Sequence, residues 1–267
     1  MLADVETKKV EVAKQREADM AKNAVDPKEL QAMRERLLKS NSGGSPDAAK
    51  LTPAVAGKPF TNSLGMEFVP VGGSLLAGRH EVRLQDFTAF LKATDGVWDK
   101  KPSFLSAGTH AVVAVSWDQA NEFCDWITRR DRLAGLLSTT AKYRLPTDEE
   151  WSTLTGMPKE AGADPSARHL GNKTHFPWGN DAWPPSPGSV NMDSEKTESY
   201  RDSYSYTSPV GAFPSNSLGI CDLGGNAAEW CSDAWPASPD ERVVRGGSWL
   251  SGEKDSLLSS ARSHMPK

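Results

Sequence analysis

The sequence predicts an α+β domain with long loops and little regular secondary structure, preceded by a charged helical linker. Three observations carry this. Aromatic residues divide the chain: the first is Phe60, and all nine tryptophans follow it. Beyond that point the apolar runs are short and sort into a few helical stripes and a few strand-like segments. There is no alternating βαβ pattern, no phosphate-binding loop and no G-x-G-x-x-G. From Gly156 to Pro214 the chain is dense in Pro, Gly, Asn and Ser. A loop stretch of that length in a compact domain calls for a function or a bound metal.

The elements follow in order. Residues 1–50 carry ten Lys/Arg and nine Asp/Glu, with no Gly before Gly43. Asp26-Pro27-Lys28-Glu29 supplies an N-cap, a proline at the first helical position and a glutamate at the third. Leu30, Met33, Leu37 and Leu38 then repeat at helical spacing, and Asn41 to Pro46 ends the helix. The linker is placed at 1–57 and the globular domain at 58–267. Phe68-Val69-Pro70-Val71 reads as a short strand closed by Gly72-Gly73. Phe87, Phe90 and Leu91 mark a helix that ends at Asp95-Gly96. Val112 to Val115 reads as a second strand. Ser116-Trp117-Asp118-Gln119 is a capping box, with Ala120, Phe123, Cys124 and Ile127 as the stripe behind it. Thr147-Asp148-Glu149-Glu150 is another, opening a helix with Trp151. Val243-Val244 is a late strand before Arg245-Gly246-Gly247-Ser248-Trp249.

Composition removes several function classes. A net charge of -4 leaves no basic footprint for nucleic acid. No apolar run is long enough to span a bilayer, and the first 15 residues hold no signal-peptide apolar core. Three cysteines exclude a disulfide-dense scaffold and an all-cysteine zinc site. The five histidines show no H-x-x-x-H or H-x-E spacing, so neither zinc nor iron is expected. The tryptophans read as staples that pin long loops rather than as a sugar platform.

Nine segments, in order, resemble the formylglycine-generating enzyme (sulfatase-modifying factor) family. They are Asn62-Ser63-Leu64-Gly65-Met66, His80-Glu81-Val82, Val115-Ser116-Trp117, Tyr143 to Trp151 and Phe176-Pro177-Trp178-Gly179-Asn180. Then come Ser208-Pro209-Val210, Leu218-Gly219, Gly225-Asn226-Ala227-Ala228-Glu229-Trp230 and Arg245 to Trp249. The resemblance implies a C-type-lectin-like α+β fold. The family's enzymes oxidise a sulfatase cysteine to formylglycine with two cysteines that bind copper(I), placed shortly after the Gly-Gly-Ser-Trp motif. Here the stretch from Leu250 to Lys267 has no cysteine, and the two positions fall at or near Ser251 and Ser256. A hydroxyl is no substitute for a copper thiolate, so no copper is expected. Cys221 and Cys231 precede the motif. The resemblance also implies a closing Gly-Phe-Arg strand beyond Ala261-Arg262-Ser263, which this sequence does not contain.

Two functions follow from the resemblance. The first is a non-catalytic binding module for a protein or peptide, within a larger bacterial signalling or surface protein whose fused domain lies outside this sequence. Its ligand face is expected at Ser251, Glu253, Lys254, Asp255, Ser256, Ser259, Arg262 and His264. The second is a formylglycine-generating oxidase. The resemblance further places structural calcium in two clusters. One uses the side chains of Asn191 and Asp202 and the carbonyls of Met192 and Tyr204. The other uses Asp222 and Glu229, with the carbonyls of Gly225 and Ala227. Mixed carboxylate and carbonyl oxygens from irregular loops suit that cation.

Overall fold

The computed structural model describes residues 51–267 except 106, 158, 179–182 and 198–199. The helix expected after Pro27, most of the 1–57 linker, and Gly179-Asn180 lie outside the described residues. The first sheet is antiparallel, with strands β1 (Phe60–Thr61), β2 (Glu67–Gly72) and β3 (Leu75–Gly78) in that order. Phe60 stands opposite Phe68. Helix α1 (Leu84–Thr94) starts where Arg83 and Asp86 cross, the guanidinium donating to the carboxylate at 2.8 Å, and stops at Asp95 in the left-handed region, φ 50°.

Helix α2 (Trp117–Leu133) opens on the expected capping box: Ser116 Oγ accepts from the Gln119 N–H at 3.1 Å, and Gln119 Oε1 accepts from the Ser116 N–H at 3.2 Å. Each such cap is worth about 1 kcal/mol. Phe87 and Phe90 of α1 meet Phe123, Trp126 and Ile127 of α2 in one core cluster. Thr147 and Glu150 repeat the reciprocal cap at α3 (Asp148–Leu154). This helix carries the fully buried Trp151 into a second cluster with Leu154, Ile220, Leu223, Cys231 and Val243. Between Gly156 and Pro214 the four residues of α4 (Pro165–Arg168) are the one regular helix or strand among the described residues. The second sheet joins β4 (Glu229–Trp235), β5 (Ser238–Arg245) and β6 (Ser263–Pro266), again antiparallel and in chain order. A 3-10 turn, Lys254–Leu257, lies between β5 and β6.

One expected element is absent. Val112 to Val115 is not a strand: only the preceding His110 and Ala111 form isolated bridges among the described residues, to Pro209 and Arg83. Ala114 takes φ 56°, which breaks an extended run. Its carbonyl is taken by the Trp98 indole at 3.0 Å, and that of Val115 by the Trp230 indole at 3.0 Å. Trp117 likewise donates to the Cys231 carbonyl at 2.9 Å. Tryptophan N–H groups thus do here what a partner strand does in a sheet.

All three cysteines are free thiols. Burial pushes the Cys124 thiol up to about 12, with Asp125 adding to the rise. At pH 8 that leaves roughly a thousandfold less thiolate than an ordinary thiol. Iodoacetamide followed by peptide mapping should therefore leave Cys124 unlabelled in the native protein and label it fully after denaturation. Equal labelling in both states would contradict the packing of this helix.

Candidate metal centre and loop face

The first cluster is built around Asn191, which is 1% exposed. Its Nδ2 donates to the Tyr206 carbonyl at 2.9 Å and to Asn226 Oδ1 at 3.0 Å, which fixes the amide plane. Its Oδ1 has no hydrogen-bond donor. An unpartnered buried acceptor costs about 1–3 kcal/mol, and a cation would supply the missing partner. Asp202 is also buried, and its two oxygens accept from the Met192 N–H at 2.8 Å and the Tyr204 N–H at 2.9 Å. Those two contacts fold the intervening loop back on itself and bring all four expected ligands, Asn191, Met192, Asp202 and Tyr204, into one region.

The second cluster surrounds a turn. Asp222 is buried, takes φ 62°, and accepts from the Gly211 N–H at 2.6 Å. Glu229, at the start of β4, is partly buried and accepts from the Trp151 indole at 2.5 Å. A third acid that the sequence reading did not assign to the site joins them. Glu81 follows β3, and its Oε1 accepts from the Ala227 N–H at 2.8 Å while its Oε2 accepts from Asn226 Nδ2 at 2.5 Å. Desolvation pushes Asp222 up to about 6 and Glu229 up to about 7, and the Asp222 charge adds to the rise at Glu229. Desolvation also raises Glu81, with the Asp222 and Glu229 charges adding to it. None of the ion pairs among the described residues includes Glu81, Asp222 or Glu229. Burying acids without an ion-paired partner is costly, and a bound cation would offset that cost. No backbone N–H among the described residues donates to the carbonyls of Met192, Tyr204, Gly225 or Ala227. Buried acid, an orphaned amide oxygen and free carbonyls are the donor set a hard cation takes. Among the described residues no group of three or more His, Cys, Asp or Glu could hold a metal ion, so a cation at either cluster would rest on one or two carboxylates together with amide and backbone carbonyl oxygens.

None of the three thiols in this sequence follows Trp249: Cys124 lies on α2, and Cys221 and Cys231 are buried.

The expected ligand face divides in two. Glu253, Lys254, Asp255 and Ser256 are exposed around the 3-10 turn, and Ser251 is partly exposed at its foot. Asp255 pairs with Lys173 at 3.1 Å. These residues border a cavity of about 300 Å³ lined by Trp183, Pro184, Lys196, Thr197, Gly252, Glu253 and Lys254. The loop of the first cluster braces this face: Asp193 N–H donates to the Ser251 carbonyl at 2.9 Å and Thr197 Oγ1 to the Gly252 carbonyl at 2.9 Å. Ser259 and Arg262 do not line it. Ser259 has no exposed surface, and the Arg262 side chain is enclosed between Asp148 and Glu160. His264 is exposed on β6, stacked on Trp235 at 4.4 Å.

Comparison with known proteins gives the following. The family described as "Sulfatase-modifying factor enzyme 1-like domain" matches residues 69–267. The formylglycine-generating enzyme of Mus musculus is 30% identical over 165 residues, covering 55% of this chain and 37% of that protein. The inactive C-alpha-formylglycine-generating enzyme 2 of Mus musculus is 33% identical over 153 residues, covering 57% of this chain and 41% of that protein. The serine/threonine-protein kinase Pkn1 of Chlamydia trachomatis is 26% identical over 216 residues, covering 74% of this chain and 28% of that protein. The chain thus spans less than half the length of each of these relatives. No helix among the described residues is long and apolar enough to cross a membrane.

Proposed function

The chain belongs to the sulfatase-modifying factor enzyme 1-like family, with its C-type-lectin-like α+β fold, and from that premise we propose that it is a non-catalytic, calcium-held module that binds a protein or peptide through the loop after Trp249. One observation carries the reading. Where the family's copper thiolates would stand, at or near Ser251 and Ser256, the chain has hydroxyls, and no cysteine follows Trp249. Ser251 Oγ accepts from the Ser248 N–H at 3.1 Å and Ser256 Oγ donates to the Glu253 carbonyl at 2.6 Å, so both serve the local turn. A relative named as inactive supports the view that this family tolerates loss of the chemistry. The match to a protein kinase supports a place within a larger signalling protein.

Calcium would be held by Asn191, Met192, Asp202 and Tyr204 at one site and by Asp222, Gly225, Ala227 and Glu229 at the other. When bound, it offsets the acidic charge and ties together loops that have few ladder hydrogen bonds of their own. The 193–197 loop rises from the first site to the Ser251 and Gly252 carbonyls, so that ordering extends to the face presented to the partner. A rigid scaffold with a polar, variable loop is the usual design of a recognition surface. The test is to select peptides against the full chain by display and map them by amide chemical shifts. Shifts should concentrate at residues 251–256 and at Lys196 and Thr197, and the exchange Glu253→Lys with Lys254→Glu should weaken binding about tenfold. Selected peptides that map elsewhere and ignore the charge exchange would contradict the assignment.

A further inference from the structure

The two clusters meet at one side chain. Asn226 has no exposed surface. Its N–H donates to the Asn191 carbonyl at 2.8 Å, and its Oδ1 accepts from Asn191 Nδ2 at 3.0 Å and from the Ser208 N–H at 2.8 Å. Its Nδ2 donates to Glu81 Oε2 at 2.5 Å, and its carbonyl accepts from the Trp249 N–H at 3.0 Å. The backbone sits at φ 48°, a conformation that asparagine adopts more readily than most residues. Gly225 beside it forms an isolated parallel bridge to Asn191, so close that a Cβ on Gly225 would lie 2.1 Å from the Asn191 carbonyl oxygen. The backbone that carries the ligands of one cluster is pressed onto the backbone that carries those of the other.

We infer that Asn226 is a positioning residue that couples the two calcium sites, so that an ion at either one tightens binding at the other. The inference rests on the calcium reading above. Asn191 can offer Oδ1 to the first ion because its Nδ2 is committed to Asn226 Oδ1 and the Tyr206 carbonyl. Asn226 keeps its acceptor turned to Asn191 because its own Nδ2 is held by Glu81. The second oxygen of Glu81 holds the Ala227 N–H, and with it the turn that bears the Gly225 and Ala227 carbonyls. An ion at the first site therefore immobilises Asn191, then Asn226, then that turn. The second ion meets ligands already ordered and loses less conformational entropy on binding. Linkage requires the effect to be equal in both directions.

The experiment is a calcium titration of the full chain by calorimetry, in wild type, in Asp202→Asn, and in both proteins carrying Asn226→Ser. Glu229→Gln, which leaves only the first site, supplies the other single-site affinity, so the wild-type total beyond the sum of the two single sites reads the coupling. Wild type should take up two ions. Asp202→Asn should take up one, bound at the second site about five- to tenfold more weakly than in wild type. With Asn226→Ser in place, the Asp202→Asn change should shift second-site affinity by less than twofold. Second-site affinity unchanged by Asp202→Asn with Asn226 intact would overturn the inference. If Asp202→Asn does not fold, Glu229→Gln reads the same coupling from the first site. Wild type that binds no calcium would defeat the calcium reading itself, an outcome distinct from two ions bound independently.

Discussion

Excess chelator is expected to lower the melting temperature of the protein by roughly 5–10 °C for each calcium site it empties. The estimate comes from mass action: at free calcium about 100 times the dissociation constant, each site stabilises the native state by about 2.7 kcal/mol. A domain of this size shifts by about 2–4 °C per kcal/mol. The physical source is the crowding of Glu81, Asp222 and Glu229 without an ion-paired side chain, together with the orphaned Asn191 Oδ1. Glu229→Ala should abolish the response of its own site and leave about half, or less, of the calcium-dependent shift. A melting temperature that ignores chelation, or a variant with the full response, would remove the second site from this account.

Asp148→Asn is expected to have the other large effect. Asp148 has no exposed surface and lies between two buried guanidinium groups. Arg245 Nη1 donates to its Oδ1, and Arg262 Nε donates to the same oxygen at 2.9 Å while Nη2 donates to Oδ2 at 3.0 Å. Glu160 supplies a second negative charge through Arg262, at 2.9 Å from Nη1, and Arg168, which reaches Asp148 at 3.4 Å, also pairs with Glu149 at 2.5 Å, so three acids balance three arginines. Neutralising Asp148 leaves an uncompensated buried charge, for which about 3–5 kcal/mol is typical. That corresponds to a drop of roughly 6–20 °C, measured by calorimetry at saturating calcium to keep the two effects apart. The contacts of Arg245 and Arg262 fasten α3 to β5 and to the segment just before β6, so the loss should be global. A change under about 1 kcal/mol would mean that the network relaxes around the missing charge.

Where a structure depends on local spacing, the sequence made it legible. The capping boxes at Ser116 and Thr147 open helices where expected because every contact they need lies within three residues. Phe68 to Val71 is a strand because its neighbour returns through Gly72-Gly73. Val112 to Val115 looked equally strand-like, but its fate was decided by Trp98 and by Trp230, which is 115 residues away. Strands β4 and β6 were missed: β4 pairs with two register shifts, which hide its alternation, and β6 is four residues long, exposed throughout and without an apolar alternation. Arg262 read as a surface cation because arginine usually is one. It is buried because Asp148 and Glu160, 114 and 102 residues earlier in the chain, neutralise it. The same distance hid the role of Glu81, which stands in the His80-Glu81-Val82 segment with nothing local to join it to the site. Its tie to Asn226 spans 145 residues. Asn226 itself carried a signal, since a Gly-Asn pair often marks a turn with a left-handed residue, but its link to Asn191 is tertiary.

The claim on which the rest depends is that a family scaffold persists here without the family's chemistry. The direct measurement is to incubate the full chain under air with copper(I), a reductant, calcium and a Cys-x-Pro-x-Arg peptide, and to follow the peptide by mass spectrometry. The account predicts that the peptide keeps its thiol and gains no aldehyde, at any ratio of copper to protein. Enzyme-dependent conversion of the cysteine to formylglycine, over and above copper alone, would contradict it.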